Sequence, residues 1–251
     1  MKSVRKTIGE WSDFELKYEA ILFDMDGTLL PMDQRIFVKH YFGELAKVLA
    51  PYGVDGEALN TALWGGVRAM VKNDGTKSNE EVFWDYFDQY IQIEQGRDEL
   101  ERIITKFYTN EFHKVKEYMG ENPLARKMVE TAHAQAPKVI LATNPIFPMV
   151  AQLSRLSWVG LGKEDFDFVT AYEDQYFCKP NPKYFEEICK KMNVDPKNCL
   201  MIGNDELEDM HTASSLGMDC YMVTGSEILR EGFTWNGKKG TFEELIEWLE
   251  R

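Results

Sequence analysis

The sequence predicts an α/β protein: a doubly wound, Rossmann-like parallel sheet with an all-helical segment inserted after the first strand. Three observations support this prediction. Short apolar runs are typical of parallel strands buried on both faces, helical patterns separate the last four runs, and a long stretch without any strand pattern lies between the first two. With 251 residues, the chain is long enough for one α/β core and a smaller insert.

Five apolar runs are predicted to be the strands, and they lie at residues 20–23, 139–142, 166–171, 199–202 and 220–223. Helices are predicted over residues 183–192, after a proline-rich start, and over residues 206–216, where Gly217 is a natural C-cap. Strands that alternate with helices in this way indicate a parallel sheet with helices on both faces.

The last helix is predicted over residues 241–251. Thr241 and Glu244 have the spacing of a capping box, in which each side chain accepts a hydrogen bond from the other residue's backbone N–H. Residues 235–237 read Trp-Asn-Gly and are expected to form a turn before this helix.

The insert is predicted to be a separate helical cap domain over residues 33–119, on a core domain made of residues 1–32 and 120–251. Turn signals at 51–53 and 73–75 divide its helices. Apolar and aromatic residues repeat at helical spacing in three stripes of the insert. Stripes of this kind are more typical of a bundle interior than of a ligand pocket, and both interpretations stay open here. The three stripes consist of Val38, Tyr41, Phe42, Leu45, Val48 and Leu49; Val82, Phe83, Tyr86, Phe87, Tyr90 and Ile91; and Leu100, Ile103, Ile104, Phe107 and Tyr108.

The net charge of -13 argues against a nucleic-acid partner, because a phosphate backbone would be repelled by most of the surface. An anionic metabolite can still bind where a lysine, a metal ion or a helix N-terminus compensates its charge. The four cysteines form no CxxC pair, which favours reduced thiols in a cytoplasmic protein. No apolar run approaches the roughly 18 residues of a membrane span, and no apolar segment follows the basic N-terminus, so neither a membrane partner nor a signal peptide is expected.

Two carboxylates follow the first strand directly, in the sequence Phe-Asp-Met-Asp-Gly-Thr. Asp24 and Asp26 therefore lie at the carboxyl end of a strand, where open α/β sheets bind ligands. Gly27 lets the backbone turn sharply at no steric cost. A pair of acids in a loop is a weak signal alone, but a buried strand before it favours a functional role.

Polar residues also follow the second and third strands. Thr143 and Asn144 come after the second strand, where a hydroxyl can donate to a phosphoryl oxygen; a capping role is the alternative. Lys179 comes after the third strand and is fixed by Pro180, so it could balance nearby carboxylates and hold phosphoryl oxygens. An ordinary solvated lysine is the other interpretation.

The fourth motif is Gly-Asn-Asp-Glu-Leu-Glu-Asp, after the fourth strand. Asp205 and Asp209 are four residues apart and share one face of a helical turn. They could satisfy the helix dipole or form a magnesium site, since hard cations prefer carboxylate oxygens. All four motifs follow strands of one sheet in order, so they are expected to converge on one crevice.

This set of motifs resembles that of the haloacid dehalogenase superfamily, in its phosphatase-type branch. The resemblance covers residues 18–30 and 120–230, and the insert is similar to the helical cap of the C1 subgroup. It implies that Asp24 is the nucleophile and Asp26 the general acid/base. The residues expected to bind the phosphoryl group are Gly27, Thr143, Asn144 and Lys179.

The resemblance also implies a Mg²⁺ ion, bound by the acids of the fourth motif together with Asp24 and the carbonyl of Asp26. The family usually has an acid directly after the glycine of this motif, whereas this chain has Asn204 followed by Asp205. We therefore expect Asp205 to be the direct ligand, with Asn204 and Asp209 assisting or bound through water.

The reaction implied is hydrolysis of a small phosphorylated metabolite through an aspartyl-phosphate on Asp24. Asp26 would protonate the departing alkoxide and then activate water. A phosphosugar, phosphoglycolate or a nucleotide monophosphate would all fit. The cationic residues Arg68, Lys72 and Lys77 of the insert are candidates for substrate contacts.

Two alternatives to a phosphatase remain. A phosphomutase acting on a sugar phosphate would keep every residue named above, and a non-catalytic phospho-ligand binding module is less consistent with two intact aspartates. A dehalogenase has no alkoxide to protonate, so Asp26 argues against it. The protein is expected to be a monomer or a small homo-oligomer.

Overall fold

The computed structural model of the protein describes residues 16–251, and at its centre is one sheet of six parallel strands. Predictions that fall on residues 1–15, the start of the core domain and the lack of a signal peptide, lie outside the described residues. The order of the strands in the sheet is β3-β2-β1-β4-β5-β6, with parallel pairing throughout, which confirms the predicted α/β fold. In chain order, the strands are β1 (Ala20–Phe23), β2 (Val139–Leu141), β3 (Phe168–Val169), β4 (Cys199–Gly203), β5 (Asp219–Val223) and β6 (Lys238–Gly240).

Strand β1 lies in the middle of the sheet, and its side chains alternate between two hydrophobic layers. Ile21 and Phe23 pack into the larger layer, whereas Ala20 and Leu22 pack into the layer on the other face. From β1 the chain builds β2 and β3 on one side and then returns to build β4 to β6 on the other. The carboxyl end of β1 is therefore the point where the strand order reverses, which is where open α/β sheets bind ligands.

Among the described residues, five α-helices lie between β1 and β2, four of them in the insert, and four more follow β2. Those of the insert are α1 (Gln34–Leu49), α2 (Gly56–Val71), α3 (Asn79–Phe87) and α4 (Arg97–Thr109), followed by a 3₁₀ segment, Glu111–Tyr118. The others are α5 (Ala125–Gln135), α6 (Met149–Trp158), α7 (Lys183–Met192), the short α8 (Thr212–Ser214) and α9 (Phe242–Leu249). Within residues 16–251, no helix has the length and apolar character needed to cross a bilayer.

Side-chain caps begin three helices of the insert. The carboxylates of Asp33 and Asp55 accept backbone N–H groups at the starts of α1 and α2, and Ser78 with Glu81 forms a capping box at the start of α3. The apolar stripes of these helices pack into the same layer as Ile21 and Phe23. At the base of the insert, the N–H of Gly120 donates to the carbonyl of Pro31 (2.8 Å), which ties the two connecting segments together.

The edges of the sheet differ from the prediction. Strand β3 comprises Phe168–Val169 only, because it pairs with Ile140 and Leu141 of the short β2 and then leaves the ladder. Strand β6 was not expected, since its sequence Lys-Lys-Gly has no strand-like apolar character. Lysines on an edge strand are a common device against edge-to-edge association, so a polar sequence is physically reasonable there.

The chain after β4 also departs from the regular helix that the sequence predicts. Residues Glu206–His211 form a π-helical turn, and an α-helical geometry begins only at Thr212. The hydroxyl of Thr212 donates to the carbonyl of Leu207 (2.7 Å), five residues earlier, and so supports the wider turn. The last helix ends at Leu249, and its predicted capping box between Thr241 and Glu244 is confirmed.

Candidate active site

Asp24 is the first residue after β1 and lies at the floor of a cavity of about 310 Å³. Its N–H donates to the carbonyl of Ile202 in β4 (2.9 Å). The pairing of β1 with β4 therefore continues to the point where the strand order reverses. The residue is 7% exposed, so its carboxylate is largely removed from water but still borders the cavity. A buried carboxylate at this position is available to a ligand from the cavity side only.

The ammonium of Lys179 lies between two carboxylates. Its Nζ is 2.9 Å from Oδ1 of Asp24 and 2.6 Å from Oδ1 of Asp209. Burial opposes the charge of Lys179, but the carboxylates of Asp209 and Asp24 outweigh burial and hold the pKa of the lysine well above its usual value. Lys179 was expected to balance nearby carboxylates, and the two that the structure places beside it are Asp24 and Asp209.

Burial raises the pKa of Asp24 to about 8, against the opposing effect of Lys179, while the charges of Asp209 and Asp26 add to the increase. A carboxylate must be ionised to act as a nucleophile. Lys179, which Asp24 shares with Asp209, therefore supplies too little positive charge to keep Asp24 ionised. A further cation beside Asp24 would stabilise the ionised form.

Asp209 is positioned by backbone contacts as well as by Lys179. Its Oδ2 accepts the N–H groups of Asn204 and Asp205, both at 3.0 Å, and the residue is 1% exposed. Gly203 makes this geometry possible, because a Cβ there would lie 2.3 Å from Oδ2 of Asp209. The side chain of Asp209 thus fixes the backbone of the fourth motif beneath Lys179.

The carboxylate of Asp26 is held by Arg155, a residue that the sequence analysis missed. Arg155 belongs to α6, is fully buried, and its guanidinium contacts Oδ2 of Asp26 and Oε1 of Gln152. The guanidinium also lies 4.3 Å from the centre of the Phe147 ring. Oδ1 of Asp26 is buried and has no hydrogen-bond partner among the described residues, so one oxygen of this carboxylate is unpaired within that part of the protein.

The remaining acids of the fourth motif surround a second arginine that the sequence analysis missed. Asp205 caps the π-helical turn by accepting the N–H groups of Leu207 and Glu208, both at 2.9 Å. The guanidinium of Arg230 donates to Asp205 and also to Glu208, the latter at 3.3 Å. Burial raises the pKa of Glu208 to about 7, and the charge of Asp205 adds to the increase while Lys179 opposes it.

Asn204 connects the first and fourth motifs. Its Oδ1 accepts the hydroxyl of Thr28 (3.1 Å), and its Nδ2 donates to the carbonyl of Ser226 (2.6 Å). Gly27 has φ +88°, and a Cβ there would lie 2.2 Å from Nδ2 of Asn204, so only glycine allows this approach. The N–H of Gly27 already donates to Leu30 (2.8 Å), which leaves that amide engaged within the loop.

Thr143 and Asn144 line the same cavity. The carbonyl of Thr143 accepts the hydroxyls of Tyr184 (2.8 Å) and Thr170 (2.7 Å), so the backbone at the end of β2 is rigidly held. Nδ2 of Asn144 donates to Glu208 (3.0 Å), and its Oδ1 accepts the N–H of Lys179 (3.2 Å). The structure thus brings the residues of all four motifs together at one edge of the sheet.

The charges of this cluster do not balance. With every carboxyl group ionised, three cations face five carboxylates, which leaves an excess of two negative charges before any phosphate enters. The cations are Lys179, Arg155 and Arg230, and the carboxylates are Asp24, Asp26, Asp205, Glu208 and Asp209.

Among residues 16–251, no three acidic, histidine or cysteine side chains are already gathered as a metal cage, since lysine and arginine hold most of these acids. The chemistry of the donor set nevertheless fits a hard divalent cation. The donors are carboxylate oxygens, one of them a buried oxygen without a partner, and burial raises the pKa of Asp24 and of Glu208.

The insert supplies the far wall of the cavity. The aromatic and aliphatic side chains that line it come from α1 to α4, so the predicted stripes form both the bundle interior and a cavity surface. Arg68, Lys72 and Lys77 are absent from the residues that line the cavity in the described part of the chain. Lys77 instead pairs with Asp85 on the surface.

Comparisons with known proteins bear on the family and the fold. A family model described as a haloacid dehalogenase-like hydrolase matches residues 18–217. The chain is 24% identical over 201 residues to the phosphorylated carbohydrates phosphatase of Thermotoga maritima, covering 80% of this chain and 82% of that protein. It is 22% identical over 204 residues to a glyceraldehyde 3-phosphate phosphatase of Pyrococcus furiosus, covering 80% and 79%. A crystal structure of a phosphatase from Thermococcus onnurineus shares the fold, with a TM-score of 0.57, 20% identity and coverage of 92% and 97%.

Proposed function

Because the chain belongs to the haloacid dehalogenase-like hydrolase family, we propose that it hydrolyses a small phosphomonoester, with Asp24 as the nucleophile and Mg²⁺ as the cofactor. One observation supports this proposal above all. The carboxylate of Asp24 lies at the switch point of the sheet, borders a cavity and is 2.9 Å from a buried lysine. The relatives named as phosphatases of phosphorylated carbohydrates and of glyceraldehyde 3-phosphate support the same reaction class.

Asp24 attacks phosphorus in line with the leaving oxygen, and the P–O bond to the alcohol breaks as the aspartyl-phosphate forms. Lys179 reduces the repulsion between this carboxylate and the anionic phosphoryl group. Its position beneath Asp24 is fixed by Asp209, so no reorganisation is needed when the charge develops.

Asp26 protonates the departing alkoxide and afterwards takes a proton from the water that hydrolyses the aspartyl-phosphate. The free Oδ1 of Asp26 fits this role, because Arg155 fixes the other oxygen and orients the carboxylate. Proton transfer by a positioned group of this kind contributes about 10²–10⁴-fold in rate.

The phosphoryl oxygens are bound by Thr143 and Lys179, with Asn144 beside them. Thr143 is 2% exposed and lines the cavity next to Asp24. Gly27 contributes by allowing Asn204 to approach the first motif, since its own amide is engaged with Leu30.

A bound Mg²⁺ would supply positive charge against the phosphoryl oxygens and against Asp24. The residues that would hold it are Asp24, the carbonyl of Asp26, and Asp205 with Glu208, with Asn204 and Asp209 supporting them. Arg230 contacts both Asp205 and Glu208, so a metal ion bound by these two acids would take the place of the guanidinium.

We also propose that residues 33–119 act as a cap over this site. The contacts at its base and the caps of its helices support a distinct unit. Its aromatic wall faces Asp24 across the cavity, where it would exclude bulk water from the aspartyl-phosphate.

The experiment that tests the function is release of inorganic phosphate from a panel of small phosphomonoesters, with Mg²⁺ and with EDTA. Asp24→Asn is expected to abolish release, whereas Asp98→Asn, an exposed acid of α4, is the matched control and should leave it unchanged. Release that persists in Asp24→Asn would refute the assignment of the nucleophile. An isomerised sugar phosphate without free phosphate would identify a phosphomutase instead.

A further inference from the structure

The wall of the cavity that faces Asp24 is almost entirely apolar. Among the insert residues that line it, Gln34 is the one polar side chain that is not aromatic, and no lysine, arginine or acid of the described insert contributes. Polar groups are concentrated on the sheet side, around Asp24 and Asn144. The cavity therefore has two chemically distinct ends, one for an anion and one for an apolar group.

Two apolar side chains of α2 that line this cavity are also exposed. Trp64 is 41% exposed and Val71 is 39% exposed, although both line the space above the catalytic aspartates. The ring of Trp64 lies 5.7 Å from that of Phe42, at an angle of 58°. Exposed apolar surface of this kind is not explained by packing of the core, and it is typical of a ligand-binding surface.

The tyrosines of the wall offer few free hydrogen-bonding groups, because two of them already share one hydrogen bond. The hydroxyls of Tyr41 and Tyr108 lie 2.7 Å apart and bind one another, and both rings are buried. Gln34 and the indole N–H groups, of which that of Trp84 is unpaired in the described part of the chain, are the few other polar groups of the insert wall. Most of the hydroxyl groups of a sugar would therefore lose water on entering this end of the cavity without gaining protein partners. Each such unsatisfied group lowers affinity, so the wall discriminates against polyol substrates.

We propose that the preferred substrate is the phosphate ester of an alcohol that bears an apolar, aromatic group, with its ring against Trp64 and Phe42 and its phosphate at Asp24. This proposal rests on the proposed function, because the same hydrolysis is assumed: water is consumed, and the alcohol and inorganic phosphate are released. A cavity of about 310 Å³ is large enough for a single aromatic ring with a short linker.

The first test compares three primary alkyl phosphates, whose leaving groups are chemically similar: 2-phenylethyl phosphate, glycerol 3-phosphate and glucose 6-phosphate. We expect kcat/KM for 2-phenylethyl phosphate to be about tenfold to a hundredfold higher, in proportion to the apolar area that the ring buries. Equal values, or a preference for either polyol ester, would overturn this proposal alone. Absence of phosphate release from all three esters would instead refute the proposed function.

The second test uses two substitutions of exposed aromatic residues in the insert. Trp64→Ala removes part of the apolar wall, whereas Tyr90→Ala removes an aromatic side chain that is 46% exposed and does not line the cavity. Trp64→Ala should raise KM for 2-phenylethyl phosphate about tenfold and leave KM for glycerol 3-phosphate nearly unchanged. Tyr90→Ala should alter neither value.

An equal effect of Trp64→Ala on both substrates would mean that Trp64 supports the fold of the insert and does not contact the substrate, which would contradict the proposal. A binding measurement independent of turnover completes the comparison. Titration with 2-phenylethylphosphonate should quench the tryptophan fluorescence of the protein, and this response should be reduced in Trp64→Ala, where Trp84 still lines the cavity, and kept in full in Tyr90→Ala.

Discussion

The elevated pKa of Asp24 predicts how the stability of this protein depends on pH. The carboxyl has an ordinary value of 3.8 in the unfolded chain and about 8 in the folded protein, because burial outweighs the attraction of Lys179. Between these values the folded protein binds one proton more than the unfolded chain, so the free energy of unfolding falls as pH rises. The contribution of Asp24 is fully present below pH 3.8 and is lost by the time the pH has passed about 8.

Asp24→Asn is the perturbation that isolates this contribution, because an amide of the same shape does not titrate. A shift of about 4 units, at about 1.4 kcal/mol per unit, gives a total of roughly 6 kcal/mol. The variant should therefore gain stability relative to the natural protein by about 1.4 kcal/mol for each pH unit up to about pH 8, and the difference should then level off.

The assay is urea unfolding, followed by circular dichroism in EDTA at several pH values between 5 and 9. Asp98→Asn alters an exposed acid and serves as the control. Its free energy of unfolding should change with pH in the same way as that of the natural protein. Added Mg²⁺ should reduce the pH dependence of the natural protein, because a cation beside Asp24 stabilises the ionised form. Parallel curves for the natural protein and Asp24→Asn across this range would refute the reasoning.

Three further predictions concern the contacts around the site. Lys179→Met leaves two buried carboxylates without their cation and should lower the free energy of unfolding by about 3–5 kcal/mol in urea at pH 7, so an unchanged value would contradict the buried pairing. Asn79→Ala removes a fully buried amide that contacts Asn73 and the carbonyl of Pro145, and it should lower the free energy of unfolding in urea by about 1–3 kcal/mol. A change within experimental error would contradict those contacts. Arg155→Lys should lower kcat more for 2-phenylethyl phosphate than for p-nitrophenyl phosphate, because a poor leaving group depends most on acid assistance; equal losses for both esters would exclude this positioning role.

The centre of the sheet could be predicted from the sequence because its strands are continuous apolar runs. β1 was predicted with the bounds that the structure gives, Ala20–Phe23, and α7 likewise, at Lys183–Met192. Burial on both faces leaves a signal in every residue of such a strand. β6 has no such signal, since an edge strand of Lys-Lys-Gly is held by its pairing with β5 and by contacts such as that from the indole N–H of Trp235 to the carbonyl of Lys238 (3.0 Å).

The acids of the site were found from their place after each strand, whereas the arginines were not. Arg155 lies in α6, far along the chain from the aspartate that it holds, and its one local signal is a charge among buried positions of the helix. Arg230 lies in the loop after β5, where an arginine is ordinarily solvated. Long-range ion pairs depend on the folded arrangement, so the spacing of charges in one sequence does not reveal them.

The aromatic stripes of the insert show a second limit on what can be predicted from the sequence. The periodicity of Tyr41 and Phe42 in α1 shows that both face inward, but it does not distinguish a packed interior from the wall of a cavity. Tyr41 is buried and pairs with Tyr108, whereas Phe42 is half-buried beside the exposed Trp64. The difference between the two roles is the volume left between helices, which depends on how α1 and α2 pack and not on either helix alone.

Each of the three cations in the site holds acids that have a different proposed role. Arg155 holds the proposed acid/base, Lys179 holds the proposed nucleophile, and Arg230 holds the acids proposed to bind metal. Each cation comes from a different segment, and only Arg230 is substantially exposed, at 38% of its side chain, so it is the one that can leave its partners at little cost. A divalent cation in place of Arg230 would exchange one positive charge for two and so reduce the excess of negative charge from two to one, and the guanidinium of Arg230, which lines the cavity, would then be available to an incoming phosphate.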